Sequence, residues 1–264
     1  MTQKAPALFV GHGSPMNAIE ETDFSRGWRA VAARFPKPRA VLCVSAHWVT
    51  DGVRVMGNPQ PKTIHDFRGF PPELHAVQYP APGAPELAAR VASLLTEFGA
   101  AVDNSWGFDH GNWSVLRWMY PNADVPVLQL SLDRRRQAPA HYAVAQTLAP
   151  LRDEGVAIIA TGNIVHNLRA FFSGDSSLQA PSKQFDDFIL DRVAANDAAA
   201  VTAYATHPAA AIAAPDWDHF FPLFYALGAR APDERAEIFN RSVATGISMT
   251  SIGFGLTPAA ELAA

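Results

Sequence analysis

A single cysteine, Cys43, occurs in the 264 residues. One thiol cannot form an internal disulfide, which excludes the disulfide-framed folds of small secreted proteins. Cys43 lies within the apolar run Ala40-Val41-Leu42-Cys43-Val44, a setting that predicts a buried, structural thiol in a reducing compartment. Long apolar runs are missing too. No window of about 18 apolar residues exists, so no membrane span is expected. The Ala-rich stretch 198–214 comes nearest, but His207 and Pro208 interrupt it. Basic charge is sparse, with 21 Lys and Arg against 25 Asp and Glu, a formal net charge of −4 and no long basic block. Nucleic acid and anionic membrane are therefore not expected partners. The opening Met1-Thr2-Gln3-Lys4-Ala5-Pro6 lacks the charged-then-apolar order of a signal peptide, and the expected location is cytoplasmic. P-loop, Gly-x-Gly-x-x-Gly, His-Glu-x-x-His and Gly-x-Ser-x-Gly motifs are all absent, which removes the chemistries those loops support.

What is present is a well-buried globule, 48% hydrophobic and only 17% charged, long enough for one large domain. Apolar, β-rich runs fall at about 6–11, 40–46, 53–56, 126–132, 156–161 and 248–254. Helical periodicity marks about 23–34, 84–98, 112–120, 137–152, 182–195 and 217–228. Such alternation predicts a single α/β domain over 1–264, its sheet flanked by helices on both faces. Segment 57–83 breaks the alternation. It holds six prolines, three glycines and two histidines, and a loop of that length in a compact domain is often functional.

Histidine carries the strongest signal. Ala7-Leu8-Phe9-Val10 runs into Gly11-His12-Gly13-Ser14, and Ala40 to Ala46 runs into His47-Trp48. In open α/β sheets the binding crevice lies outside the carboxyl ends of the strands. Two strands that stop on an imidazole therefore point to a metal site assembled from distant parts of the chain. His166, in Thr161-Gly162-Asn163-Ile164-Val165-His166, follows a third strand. A helix opening there would aim free backbone N–H groups at an anionic ligand. His219, in Asp218-His219-Phe220-Phe221-Pro222, sits at a helix mouth set by the proline. His110 follows Asp109, and Asp109 or Asn112 is expected to cap the next helix or to orient the imidazole. In the long loop, Arg68 is suited to an anionic substrate group and His65 lies beside it, whereas His75 reads as a solvated side chain. His141 and His207, in Ala-rich helical surroundings, read as structural.

Taken in order, these pieces resemble the class III extradiol ring-cleaving dioxygenases, and among them the DOPA 4,5-dioxygenase-type branch. The matching motifs are Gly11-His12-Gly13-Ser14-Pro15-Met16, Ser45-Ala46-His47-Trp48, Ile64-His65-Asp66-Phe67, Tyr79-Pro80-Ala81-Pro82-Gly83, Trp106 to Gly111, Gly162 to Leu168 and Asp218 to Leu223. The resemblance implies a central mixed sheet with helices on both sides. It implies one divalent metal per chain held by His12, His47 and His219, with His166 as acid–base residue and His110 beside ligand or substrate. His65 and Arg68 are then expected to meet the substrate's side chain. The substrates implied are an aromatic diol and O2, and the chain is expected as a monomer or small homo-oligomer. Many class III enzymes use two histidines and a carboxylate. Three neutral imidazoles leave the site one negative charge short of that set. This favours an anionic catecholate and also suits Zn(II), so Fe(II) is expected for catalysis and Zn(II) in purified protein. The alternatives are a zinc hydrolase whose ion is held by three histidines and a water, and a non-enzymatic metal-binding scaffold. Neither a scaffold nor simple metal storage needs His166 and His110.

Overall fold

The computed structural model describes residues 4–258. Residues 1–3 of the opening segment and 259–264 of the expected domain lie outside that range. The strands are β1 (Ala7–Gly11), β2 (Ala40–Thr50), β3 (Arg54–Met56), β4 (Ala101–Asp103), β5 (Val127–Asp133), β6 (Val156–Gly162), β7 (Glu237–Phe239), β8 (Val243–Ala244), β9 (Ile247–Ser248) and β10 (Ser251–Phe254). The helices are α1 (Asp23–Ala32), α2 (Pro72–His75), α3 (Pro85–Leu94), α4 (His110–Met119), α5 (Ala138–Leu148), α6 (Leu168–Ser173), α7 (Gln179–Ala194), α8 (Ala198–Thr202), α9 (Ala210–Ala213) and α10 (Pro222–Gly228). No helix among the described residues is long and apolar enough to cross a membrane.

Eight strands form one mixed sheet in the order β4-β3-β5-β2-β6-β1-β10-β7, and β8 and β9 form a separate hairpin. The central four, β5, β2, β6 and β1, are parallel. Antiparallel β3 flanks them on one side, and β10 on the other. The central strands are apolar without a break because both of their faces are covered. Side chains alternate between two cores. Phe9, Leu42, Val44 and Ile158 face α3, α5, α7 and α10. Leu8, Val10, Val41, Cys43 and Ile159 face α1 and α4, where Trp28 and Trp113 are fully buried. The single α/β architecture and helices on both faces are as the periodicity predicts, and Cys43 is buried.

Three local differences matter. β2 does not stop before His47 but continues to Thr50, and its register with β5 shifts between Val44 and Val49. His47 therefore sits in a bulge, a device that re-aims a side chain without ending the strand. The helix after β6 begins at Leu168 with Asn167 as its cap, so the N–H groups before it are not free: Asn163 donates to the His219 carbonyl and His166 to that of Ala213. The periodic stretch 217–228 becomes helical only from Pro222, at the first-turn position where its missing N–H costs nothing. Strands β4, β7 and β8, each two or three residues long, lack the apolar runs that reveal buried strands.

Candidate functional site

Five histidines from separate stretches of the chain meet at the carboxyl ends of the parallel strands. His12 follows β1, His47 lies in the β2 bulge, His110 opens α4, His166 follows β6 and His219 precedes α10. Glycine makes room for them. Gly13 takes φ +59 directly after His12, a left-handed conformation that suits a residue without Cβ. His12 and His47 ring centres stand 5.1 Å apart, His12 and His219 5.4 Å, and His47 and His219 5.0 Å. His110 is less evenly placed, 3.9 Å from His47 and 5.5 Å from His12. His166 lies flat on His219, with ring centres 3.5 Å apart and planes 5° from parallel.

Carboxylates surround this cluster. Asp66, from the long loop, brings Oδ2 to 3.1 Å from Nδ1 of His47 and Oδ1 to 3.0 Å from Nδ1 of His110. Its one aligned hydrogen bond is from the His110 backbone N–H at 2.9 Å, and the contact to the His110 ring is oblique. Asp218 accepts from Nδ1 of its neighbour His219 at 3.0 Å. Asp109, fully buried, caps α4 as expected, accepting from the Asn112 N–H. It also accepts from Ser45 Oγ at 2.6 Å and from the Gln129 side-chain amide. Ser45 Oγ in turn accepts from the His47 N–H at 3.2 Å. Asp109 thus supports His47 through Ser45.

Burial and neighbouring imidazoles push His12, His219 and His110 below the ordinary histidine range. Burial lowers His166 to about 4, with Asp218 opposing it. That is below the ordinary value of about 6.5 on which acid–base use at neutral pH was expected. Burial also works against a charged His47, but the Asp66 and Asp109 carboxylates outweigh it and raise that residue. The imidazoles of His110 and His47 hold the Asp66 carboxyl far below the usual carboxylate range. Neutral imidazoles keep the lone pairs that a metal requires.

A divalent ion fits this donor set. Two Nε2 atoms, of His12 and His47, face each other at 3.1 Å, and buried Nδ1 of His12 has no partner. With metal–nitrogen bonds of about 2.0–2.1 Å, three imidazole centres at tetrahedral angles stand roughly 5.2 Å apart. The His12, His47 and His219 triangle, with sides of 5.0–5.4 Å, has that spacing. Nitrogen proximity alone groups the residues otherwise, as His12, His47 and His110 and as His166, Asp218 and His219. Ring geometry is the stricter criterion, because lone pairs must converge. The 3.9 Å between His47 and His110 is tight for two ligands of one ion, and the lone pairs of stacked His166 and His219 lie in parallel planes 3.5 Å apart at the ring centres and so do not converge in one plane.

The long loop contributes to the site through Asp66 and Phe67, whose ring meets the His110 edge at 5.6 Å. His65 has its Nε2 against the Val77 carbonyl at 2.9 Å and its ring against Trp113 at 5.6 Å. Arg68 is exposed and has no hydrogen bond or ion pair among the described residues. The loop is pinned by Ile64 N–H to the Phe108 carbonyl, by Trp113 Nε1–H to the Ile64 carbonyl and by a bridge of Thr63 with Phe108. His141 is buried between the Tyr225 hydroxyl and the Asp133 carbonyl, and His207 stacks on Phe188, both away from the cluster. Asp66 is a site residue absent from the sequence-based candidates, although a carboxylate beside a histidine, the signal present at Asp109, stands there too.

A family model described as the catalytic LigB subunit of aromatic ring-opening dioxygenase matches residues 6–255. The chain is 41% identical over 258 residues to a 4,5-DOPA dioxygenase extradiol of Escherichia coli (strain K12), covering 96% of this chain and 95% of that one. It is 38% identical over 254 residues to the protein of the same name from Beta vulgaris, covering 91% and 92%. The crystal structure of an uncharacterized Escherichia coli K12 protein superposes with a TM-score of 0.82 at 37% identity, covering 95% of this chain and 99% of that one.

Proposed function

The chain belongs to the LigB family of aromatic ring-opening dioxygenases, and from that premise we propose that it opens a catechol of the DOPA type, next to the diol, at one metal held by His12, His47 and His219. As an extradiol dioxygenase it is an oxidoreductase that cleaves an aromatic ring with O2. The near-equilateral triangle of those three rings is the observation that carries the ligand assignment. Fe(II) is the metal for turnover, and a site of three imidazoles accepts Zn(II) as well.

The metal, when bound, supplies the redox centre at which diol and dioxygen react. The chain supplies proton handling, orientation and shielding. His166, neutral at working pH because burial lowers it to about 4, accepts the proton of a catechol hydroxyl. As an imidazolium it is then a stronger acid than free histidine, which suits proton return when the O–O bond breaks. Its stacking on His219 fixes the imidazole plane beside the ligand set. His110 meets a substrate oxygen, backed by Asp66 and Phe67. His65 and Arg68 meet the polar side chain of the catechol. Arg68, without a hydrogen bond or ion pair among the described residues, is suited to a carboxylate.

Oxygen uptake by Fe(II)-reconstituted protein across a panel of catechols tests the reading. One O2 consumed per catechol, with a ring-opened chromophore, is expected. The zinc form should consume none. His12→Ala, His47→Ala and His219→Ala should each lose most bound metal, whereas His166→Ala keeps metal and loses turnover. Full metal content in all three ligand variants, or no O2 uptake with any catechol, would overturn the proposal.

A further inference from the structure

We propose that Asp66 is a positioning residue that sets the tautomer of His47 and His110 together and thereby makes the segment 62–67 a working part of the metal centre. The inference rests on the ligand assignment above. Asp66 lies in a loop, yet its two carboxylate oxygens reach two different imidazoles, at 3.1 Å and 3.0 Å, each at Nδ1. A carboxylate so close to a ring nitrogen is repelled by a lone pair there and attracted by an N–H. The contact to the His110 ring is oblique, so the charge of the carboxylate, rather than an aligned hydrogen bond, favours Nδ1 protonated on both rings and leaves the lone pair on Nε2. The structure is consistent with this, since Nε2 of His47 is the atom that faces His12. For His47 the effect is a nitrogen ready to bind metal. For His110 it is an Nε2 that accepts, from a catechol O–H, rather than one that donates.

The second effect is charge. Three neutral imidazoles contribute no negative charge to a dication, and the carboxylates of Asp66 at His47 and Asp218 at His219 supply it one atom group further out. Such a carboxylate also raises the basicity of the ligand it touches. The placement is built rather than incidental. Residues 62–67 pair with 108–113 through the Thr63 bridge to Phe108, the Ile64 N–H and the Trp113 indole. Phe67 then packs edge-on against the same His110 ring that Asp66 touches. The competing role is purely structural: Asp66 accepts the His110 backbone N–H at the start of α4 and so could serve only to cap that helix.

Histidine ring 1H–15N spectra of metal-free protein, together with Zn(II) titrations against a chromophoric chelator, separate the two roles. The wild type should show the Nδ1–H pattern for His47 and His110. Asp66→Asn should convert at least one of them to the other tautomer or to a mixture, and should weaken Zn(II) binding about 10- to 100-fold. Asp66→Glu, which keeps the charge, should recover part of the affinity. A cap alone predicts a lower melting temperature for Asp66→Asn with both ring patterns intact and Zn(II) affinity within about twofold of the wild type, and that result would overturn the proposal. If the wild type binds no metal but the tautomers shift in the variant, the ligand assignment fails while the positioning role of Asp66 stands.

Discussion

Replacing Gly162 with alanine would press a methyl group into the backbone that carries His219. Gly162 ends β6, and a Cβ built there lies 2.2 Å from the His219 carbonyl oxygen and 3.2 Å from both its carbon and Pro222 Cγ. Ordinary contact begins at 3.4 Å, so the chain at His219 must retreat by roughly 1 Å. The retreat strains the hydrogen bond from the Asn163 N–H to that oxygen, 2.8 Å in the parent. Overpacking costs about 1–3 kcal/mol, and a lost hydrogen bond about 1 kcal/mol more. For a domain of this size each kcal/mol lowers Tm by about 2–4 °C, so Gly162→Ala should melt about 5–15 °C below the parent. Gly162 does not have a positive φ, so the loss would come from the collision and not from backbone strain. Circular dichroism melts of the metal-free proteins measure the stability term. Zn(II) titration measures the second consequence, since displacing one of the three proposed ligands by roughly 1 Å should weaken binding at least tenfold. A variant that melts with the parent and binds Zn(II) equally well would show that the close approach of β6 to His219 does not position it.

Two further outcomes concern His141 and the long loop. Burial holds His141 at about 4 in the folded protein, against about 6.5 when unfolded. The unfolded chain thus takes up a proton that the folded chain refuses, and stability falls as pH drops from about 6.5 to about 4, by on the order of 3 kcal/mol. Urea unfolding of metal-free His141→Gln across that range should give a shallower pH slope than the parent, and an equal slope would refute the assignment. Arg68→Ala and His65→Ala should raise KM several-fold for a catechol with a carboxylate side chain, leave plain catechol unaffected and preserve metal content. An equal effect on both substrates would remove the side-chain contact.

The regular part of the fold was legible because its strands are buried on both faces. Continuous apolar runs such as Val41-Leu42-Cys43-Val44 and Val156-Ala157-Ile158-Ile159-Ala160 need no tertiary context to be recognised. The short edge strands β4 and β7 alternate weakly and depend on a neighbour for their conformation, so no local pattern announces them. The histidines were legible as residues worth watching because they follow apolar strands or sit among glycines and prolines. Their grouping as His12, His47 and His219 rested on the family resemblance alone, because ring spacing depends on the β2 bulge and on the turn before α10. Asp66 stayed hidden for a related reason. A 27-residue loop offers many polar side chains, and only the pairing of its 62–67 segment with the start of α4 selects the one that reaches the cluster.

The position of β10 also sets an order of events during synthesis. β1, which carries His12 at its end, is bordered by β6 on one side and by β10 on the other. The Gly11 N–H completes its bonding on Ser251 Oγ, 240 positions later in the chain. Contacts of such long separation form late and slowly. The nascent chain therefore exposes all five histidines before the edge that seats the first one has left the ribosome. The edge of β1 that seats His12 is therefore finished by the last strand of the sheet to be made.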